Sequence, residues 1–145
     1  MFGTVVGGGD AEKHLGDDGW VFVDCRYVLA DAGAGRRAYS EAHLPGSRYA
    51  DLERDLSGPV TPGRTGRHPL PALDDFAGTA TSLGIGPDTQ VVAYDAGSGA
   101  MAAARLWWLL QWAGHDAVAV LDGGLAKWIA DGRPVTSDPT AEPHG

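Results

Sequence analysis

Cysteine, basic residues and long apolar runs are all scarce in this chain of 145 residues, and each scarcity excludes a class of protein. One cysteine cannot form a disulfide framework within the chain, which fits a protein of the reducing cytoplasm. Lysine and arginine number 11 against 19 aspartates and glutamates, so no nucleic acid or anionic membrane is expected as a partner. The most apolar stretch, residues 100–113, is too short and interrupted to span a bilayer. The first residues lack the basic and apolar segments of a signal peptide.

Short valine-rich runs recur between polar turns and predict the strands of a sheet. They cover residues 20–24, 90–94 and 117–121, with a weaker candidate at 47–50. These runs are continuous rather than alternating, which is typical of strands that are buried on both faces. With 43% hydrophobic residues, the chain can build one core of ordinary domain size.

Helical patterns fill the intervals between these runs. The clearest cover residues 73–83, 100–113 and 124–130, and two short helices are expected at 10–16 and 36–42. Acidic residues near the start of the first pattern and a glycine after it agree with helix dipole and capping preferences. Alternation of strands and helices at these lengths predicts an α/β fold with a parallel sheet.

The pattern at 100–113 is apolar nearly all round, since Arg105 and Gln111 are its polar members. Such a helix has to be covered on most sides. Two interpretations remain open: the helix is sandwiched within this domain, or part of it packs on a domain outside this chain. Arg105 needs a hydrogen-bonding partner if it is buried.

Three predicted strands end in an acid, at Asp24, Asp95 and Asp122. Ligands of open α/β sheets bind beyond the carboxyl ends of the strands. Asp95 leads through a glycine-containing loop into a helix N-terminus, an arrangement that can cradle an anion. An enzyme would place a nucleophile there, whereas this chain has a carboxylate that either caps the helix or fills the cradle. Cys25 ends a buried strand and is expected to act as a small hydrophobe.

Seven motifs occur in register and together resemble a rhodanese (sulfurtransferase) domain. They are Asp24-Cys25-Arg26, His43-Leu44-Pro45-Gly46, Gly66-Arg67-His68-Pro69-Leu70-Pro71, Val91-Val92-Ala93-Tyr94-Asp95, Ala104-Arg105-Leu106-Trp107-Trp108, Leu121-Asp122-Gly123-Gly124 and Lys127-Trp128. The resemblance is greatest to the N-terminal, non-catalytic half of tandem-domain thiosulfate and 3-mercaptopyruvate sulfurtransferases. It implies a five-stranded, mainly parallel sheet flanked by helices on both faces over residues 17–135. Residues 1–16 would pack on this domain, and 136–145 would form a linker-like tail.

The resemblance also implies what this chain does. In catalytic rhodanese domains, a loop follows the strand that corresponds to Val91-Val92-Ala93-Tyr94, and a cysteine at the first position of this loop becomes a persulfide. Asp95 stands at that position, so the loop is expected to be vestigial; its members are Asp95, Ala96, Gly97, Ser98, Gly99 and Ala100. The chain alone is therefore predicted to be inactive and to support a catalytic partner half. The alternative is a free-standing, non-catalytic rhodanese-like module with a binding or regulatory role.

Further site residues follow from the same resemblance. In mercaptopyruvate-type enzymes the N-terminal half contributes an acid and a histidine to the active site, and the matching positions are Glu53 and His68. The family's acid is usually aspartate, so Glu53 is a departure. Arg64 and Arg67 are expected to help hold a small anionic sulfur donor. Expected partners are a second, catalytic rhodanese domain or a second copy of this chain; no cofactor and no metal are expected, since the histidines lack the spacing of zinc ligands.

Overall fold

A five-stranded sheet organises the described part of the chain, which in this computed structural model comprises residues 2–28, 31, 33–58, 69–96 and 102–140. The strands are β1 (Val5–Val6), β2 (Trp20–Asp24), β3 (Arg48–Tyr49), β4 (Gln90–Tyr94) and β5 (Val118–Leu121). The helices are α1 (Gly8–Glu12), α2 (Ala34–Glu41), α3 (Leu73–Ser82), α4 (Ala102–Trp112) and α5 (Gly124–Ala130).

The strands run in the order β1-β5-β4-β2-β3, and every pairing is parallel. Strand β4 lies in the centre, and all five of its residues are buried, as its continuous apolar run from Val91 to Tyr94 predicts. Its register with β2 runs from Trp20 opposite Gln90 to Asp24 opposite Tyr94. The two central strands therefore end at the same level, which brings the residues that follow them to one edge of the sheet.

Alternate residues of the strands point to opposite faces of the sheet and belong to two separate hydrophobic cores, one on each face. One core combines Val23, Val91, Ala93 and Val118 with Phe76 of α3 and with Leu106, Leu109 and Leu110 of α4. The other combines Phe22, Val92, Ala119 and Val6 with Ala11 of α1 and with Leu125 and Trp128 of α5. The prediction of helices on both faces is confirmed. None of the helices within the described ranges has both the length and the apolar character needed to cross a membrane.

The predicted strands and longer helices agree closely with those observed, whereas the short helix predicted at 10–16 lies earlier, at Gly8–Glu12. The strands predicted at 20–24 and 90–94 have those bounds, while the other two are shorter, at Val118–Leu121 and Arg48–Tyr49. Strand β1 is the element that no sequence pattern indicated, because two residues are too few to show a period. The sheet is also parallel throughout rather than mainly parallel. The domain limits at residues 17 and 135 stay predictions.

The segment after α5 folds back onto the loop that precedes β3. The backbones of His43 and Thr136 exchange two hydrogen bonds, of 2.9 and 2.8 Å. The buried His43 ring stacks on Tyr39, and its two nitrogens lie 2.7 Å from the Tyr39 carbonyl oxygen and 2.9 Å from that of Asp138. The Trp128 indole N–H donates to the Pro134 carbonyl oxygen at 2.7 Å. These hydrogen bonds hold residues 134–138 against the domain.

Candidate functional site

Three acids lie at the carboxyl edge of the sheet, but they differ in environment. Asp24 is fully buried at the end of β2, and Asp95 follows β4 with 9% of its surface exposed. Asp122 follows β5 and is exposed, while its backbone N–H donates to the Val6 carbonyl oxygen at 2.9 Å. The expectation that three strands end in acids is confirmed, and Asp24 and Asp95 are the two that the fold encloses.

Asp24 forms a buried ion pair with Arg26. The guanidinium donates from Nε and Nη2 to Oδ2 at 2.9 and 2.6 Å, and the Arg26 backbone N–H donates to Oδ1 at 2.9 Å. Burial raises the pKa of the Asp24 carboxyl above its ordinary value, and the contacts with Arg26 counteract this in part. The Arg26 guanidinium also donates to the Ala42 carbonyl oxygen. The ion pair thus holds together the residues at the end of β2.

Asp95 lies between the starts of two helices. Its carboxylate accepts a long hydrogen bond of 3.4 Å from the backbone N–H of Ala103 in the first turn of α4. Its carbonyl oxygen accepts from Leu125 at 2.9 Å, and that of Ala96 accepts from Ala126 at 3.0 Å, both near the start of α5. This geometry favours the interpretation of Asp95 as a helix cap. Of the predicted vestigial loop, Gly97, Ser98, Gly99 and Ala100 lie outside the described residues.

Cys25, the single thiol, is completely buried beside this edge of the sheet. Its Sγ lies 3.8 Å from the Val23 carbonyl oxygen, and its backbone N–H donates to the Tyr94 carbonyl oxygen at 2.7 Å. Burial raises the pKa of the thiol well above its ordinary value, and the negative charges of Asp24 and Asp95 raise it further. Because the thiolate is the nucleophilic form, the burial and the raised pKa both disfavour reaction at Cys25 in the folded chain.

We expect the Cys25 thiol to resist a soluble disulfide reagent in the native protein at neutral pH. The measurement is the absorbance of the released thiolate with dithiobis-nitrobenzoate, before and after addition of concentrated guanidinium chloride. One thiol per chain should react only after unfolding. Rapid labelling of the folded chain would contradict both the burial and the direction of the pKa shift.

Glu53 occupies an exposed turn after β3. Its Oε1 accepts a 2.6 Å hydrogen bond from the Tyr27 hydroxyl, and its backbone N–H donates to Oδ1 of Asp51 at 2.9 Å. Glu53 also lines a cavity of about 340 Å³; the other lining residues are Arg54, Asp55, Ser57, Gly58, Pro71, Asp75 and Thr79. The Glu53 carboxylate is thus held in place and open to solvent. The predicted site residues Arg64, Arg67 and His68 lie outside the described residues.

Arg105 of α4 joins the two stretches that flank residues 59–68. Its Nε donates to the Leu56 carbonyl oxygen at 3.1 Å, and its Nη2 donates to that of Pro69 at 2.8 Å. The Pro69 carbonyl oxygen also accepts from the Gly58 backbone N–H at 2.9 Å. Burial lowers the pKa of Arg105. The requirement that Arg105 find partners is therefore met by backbone carbonyls, and sequence spacing gave no signal that these would be the acceptors.

A second cavity, of about 580 Å³, lies between α2, β3 and the segment after α5. Its aromatic lining is already engaged, since the Arg36 guanidinium covers the rings of Tyr39 and Tyr49 at 5.5 and 5.7 Å. The buried His43 ring in its wall is held at both nitrogens. Across the described ranges, no three His, Cys, Asp or Glu side chains are grouped as metal ligands would be.

Comparison with known proteins shows which family has this architecture. The model of the Rhodanese-like domain matches residues 9–131, which include β2 to β5 and the edge formed by Asp24 and Asp95. The chain belongs to the rhodanese-like family. This confirms the resemblance inferred from the seven motifs. The alternation of short strands and helices along the chain agrees with it.

Three sulfurtransferases that resemble this chain are longer than it is. A probable 3-mercaptopyruvate sulfurtransferase of Pseudomonas aeruginosa is 51% identical over 125 residues, which are 86% of this chain and 44% of the relative. The thiosulfate sulfurtransferase of Bos taurus is 41% identical over 121 residues, 81% of this chain and 39% of the relative. The structure of 3-mercaptopyruvate sulfurtransferase from Leishmania major superposes with a TM-score of 0.87 at 32% identity, covering 97% of this chain and 38% of that one. The chain spans less than half the length of these relatives.

Proposed function

We propose that this chain is the non-catalytic rhodanese-like half of a thiosulfate or 3-mercaptopyruvate sulfurtransferase. In this function it supports a second, catalytic half, which carries the transferred sulfur. The chain alone does not catalyse sulfur transfer. The relatives named above are sulfurtransferases, and more than half of the length of each lies outside the match. That length leaves room for a second domain of the same size.

The observation that carries the proposal is the residue at the end of β4. A persulfide enzyme needs a thiolate there, because the thiolate sulfur attacks the transferable sulfur of the donor and forms a sulfur–sulfur bond with it. The bond that held this sulfur in the donor breaks, so that sulfite leaves from thiosulfate, or pyruvate leaves from 3-mercaptopyruvate as its enolate. Asp95 has a carboxylate directed to the Ala103 N–H, and a carboxylate has no comparable step. The single thiol, Cys25, is buried and its pKa is raised, so it does not substitute for the missing nucleophile.

The contribution of this chain to the shared pocket would come from the segment after β3. Glu53, held by Tyr27, supplies a fixed carboxylate at its exposed end. Arg64, Arg67 and His68, which lie outside the described residues, are the further residues that we propose for binding the small anionic donor. We place this function in the cytoplasm, since a single free thiol suits a reducing compartment.

The test is a chimera in which this chain replaces the matching part of the Pseudomonas aeruginosa relative. Thiosulfate:cyanide and 3-mercaptopyruvate:cyanide sulfur transfer are measured for the chimera and for this chain alone. We expect turnover by the chimera with at least one donor and none by the chain above the uncatalysed rate. A chimera whose catalytic-half cysteine is replaced by serine is the matched control and should be inactive.

Two results would count against the proposal. Enzymatic turnover by the chain alone would show that it carries its own nucleophile. A folded chimera that turns over neither donor would instead favour the free-standing module, which needs no catalytic half.

A further inference from the structure

The cavity of about 580 Å³ beside β3 takes no part in the proposed function. Its walls come from α2, β3, the end of α3 and the segment after α5, and neither Glu53 nor Asp95 lines it. Its volume is in the range of cavities that hold small organic ligands. Most of its lining residues are arginine, aspartate, serine or threonine. A polar ligand therefore suits this cavity better than an apolar one.

Arg36 of α2 brings a guanidinium group to the cavity in a supported position. Its Cζ lies 5.5 Å from the centroid of the Tyr39 ring and 5.7 Å from that of the Tyr49 ring. Both rings are themselves held, because the Tyr39 hydroxyl donates to the Ser47 carbonyl oxygen at 2.5 Å and the Tyr49 hydroxyl donates to that of Arg26 at 2.9 Å. Within the part of the chain that the structure describes, the Arg36 guanidinium has no hydrogen-bond acceptor and no ion-pair partner. Its N–H donors are thus available to a ligand.

Positive charge exceeds negative charge in the cavity lining, although the whole chain has a net charge of −8. Arg48 of β3 lines the cavity together with Arg36, and Asp55 is the one acid among the described lining residues. Oδ2 of Asp55 accepts a hydrogen bond of 2.8 Å from the Asp51 backbone N–H. Two arginines that face one space repel each other, whereas an anion between them attracts both. A phosphate fits this role, because its oxygens match the guanidinium fork and its charge of about −1.5 to −2 at neutral pH exceeds that of a carboxylate.

The hydroxyl groups around the cavity are placed to accept hydrogen bonds. Ser40 donates to the Arg36 carbonyl oxygen at 3.2 Å, and Thr79 donates to that of Asp75 at 3.3 Å. Ser82 donates to the Thr79 carbonyl oxygen at 2.7 Å. Since each hydroxyl proton is already used within its own helix, the oxygen lone pairs remain as acceptors. The ligand therefore needs donors of its own, and uncharged hydroxyl groups suit a cavity with two arginines better than an ammonium group does.

We propose that this cavity is a binding site for an organic phosphate that carries several hydroxyl groups, of the sugar phosphate class. Arg36 and Arg48 bind the phosphate, and the hydroxyl groups of the ligand donate to the serine and threonine oxygens of α2 and α3. The volume of about 580 Å³ leaves room for the organic part of such a ligand beside its phosphate. This site is separate from sulfur transfer and does not depend on the proposed function.

Isothermal titration calorimetry of the purified chain tests the site with three phosphates at constant ionic strength. The probes are inorganic phosphate, glycerol 3-phosphate and glucose 6-phosphate, which differ in the number of hydroxyl groups beside the phosphate. We expect saturable binding of one glucose 6-phosphate per chain, at least about tenfold tighter than inorganic phosphate, because each hydrogen bond to a hydroxyl adds to the affinity. Glycerol 3-phosphate should be intermediate. Glucose, which lacks the phosphate, should not bind measurably.

Two neighbouring arginines of α2 provide a variant and its matched control. Arg36→Gln should weaken the binding of glucose 6-phosphate by at least about tenfold, because it removes a charge-assisted contact with the phosphate. Arg36→Lys should recover part of the affinity, since an ammonium group keeps the charge but lacks the fork. Arg37→Gln removes the same charge from a residue that pairs with Asp31 and does not line the cavity, so it should change the affinity by less than about twofold. Unfolding in urea checks that each variant is folded.

Three results would overturn the assignment. The first is that none of the three phosphates saturates the wild-type chain. The second is an equal loss of affinity in Arg36→Gln and Arg37→Gln, which would mean that the ligand responds to the general charge of α2 rather than to the cavity. The third is equal affinity for all three phosphates, which would show that the hydroxyl groups of the ligand are not recognised. Because the titrations use the chain alone and no sulfur donor, the activity or inactivity of the chimera does not affect them.

Discussion

Asp24→Ala is expected to lower the free energy of unfolding by about 3–5 kcal/mol at neutral pH, because it breaks a buried ion pair by removing one partner. The Arg26 side chain is only 12% exposed and would keep its charge with the Ala42 carbonyl oxygen as its remaining acceptor among the contacts described above. The Arg26 backbone N–H would also lose its acceptor. Equilibrium unfolding in urea, followed by tryptophan fluorescence, measures the change.

The control for this prediction is an ion pair of the same type on the surface. Arg37 and Asp31 are 62% and 51% exposed, so Arg37→Gln should change the free energy of unfolding by no more than about 1 kcal/mol. If Asp24→Ala were as mild as Arg37→Gln, the end of β2 would not depend on the buried pair.

Arg105→Ala is expected to lower the free energy of unfolding by about 2–3 kcal/mol, since hydrogen bonds from a charged donor contribute about 1.5–3 kcal/mol each and the orphaned carbonyls are partly rehydrated. The change also removes the link between Leu56 and Pro69. Hydrogen exchange should therefore show weaker protection of the Gly58 N–H, which donates to the same Pro69 carbonyl oxygen. Arg105→Lys should recover part of this protection, because an ammonium group lacks the guanidinium fork.

Gln111→Ala is the matched control for Arg105 on the same helix. Its amide donates to the Asp116 carbonyl oxygen at 3.4 Å in an exposed position, so its loss should change stability by no more than about 0.5 kcal/mol. Unchanged exchange of the Gly58 N–H in Arg105→Ala would mean that the hydrogen bond from Gly58 to Pro69 forms without help from α4.

Much of the fold was predictable because the central strands are buried on both faces. Residues 20–23 and 91–94 are continuous apolar runs, and the strands predicted around them, 20–24 and 90–94, have the same bounds in the structure. The edges of the sheet were harder to predict. Val5–Val6 and Arg48–Tyr49 are only two residues long, so their pairing is decided by distant partners and leaves no local period.

The site was predictable in part, through residue types rather than through contacts. The acids at the ends of β2 and β4 and the burial of Cys25 follow from the strand pattern and are confirmed. The partners of Arg105 and Glu53 could not be predicted, because both contacts join segments that are distant in sequence. The apolar character of α4 left two interpretations open. The buried leucines of α4 agree with the first interpretation, in which the helix is sandwiched within this domain. The exposed side chains of Trp108 and Trp112 agree with the second, in which part of the helix packs on a domain outside this chain.

The pairing of Val5 with Val120 has a consequence for how the chain is made. On the ribosome, residues 2–6 are synthesised early, but their strand partner emerges only after most of the domain has been translated. The β2–β4 pair can form sooner, since closing a shorter loop loses less entropy. Until β5 emerges, the edge of β4 that it will cover stays open on the nascent chain, and open strand edges are sites where polypeptides aggregate. Chaperone demand should therefore peak late in synthesis, just before β5 is added between β4 and β1.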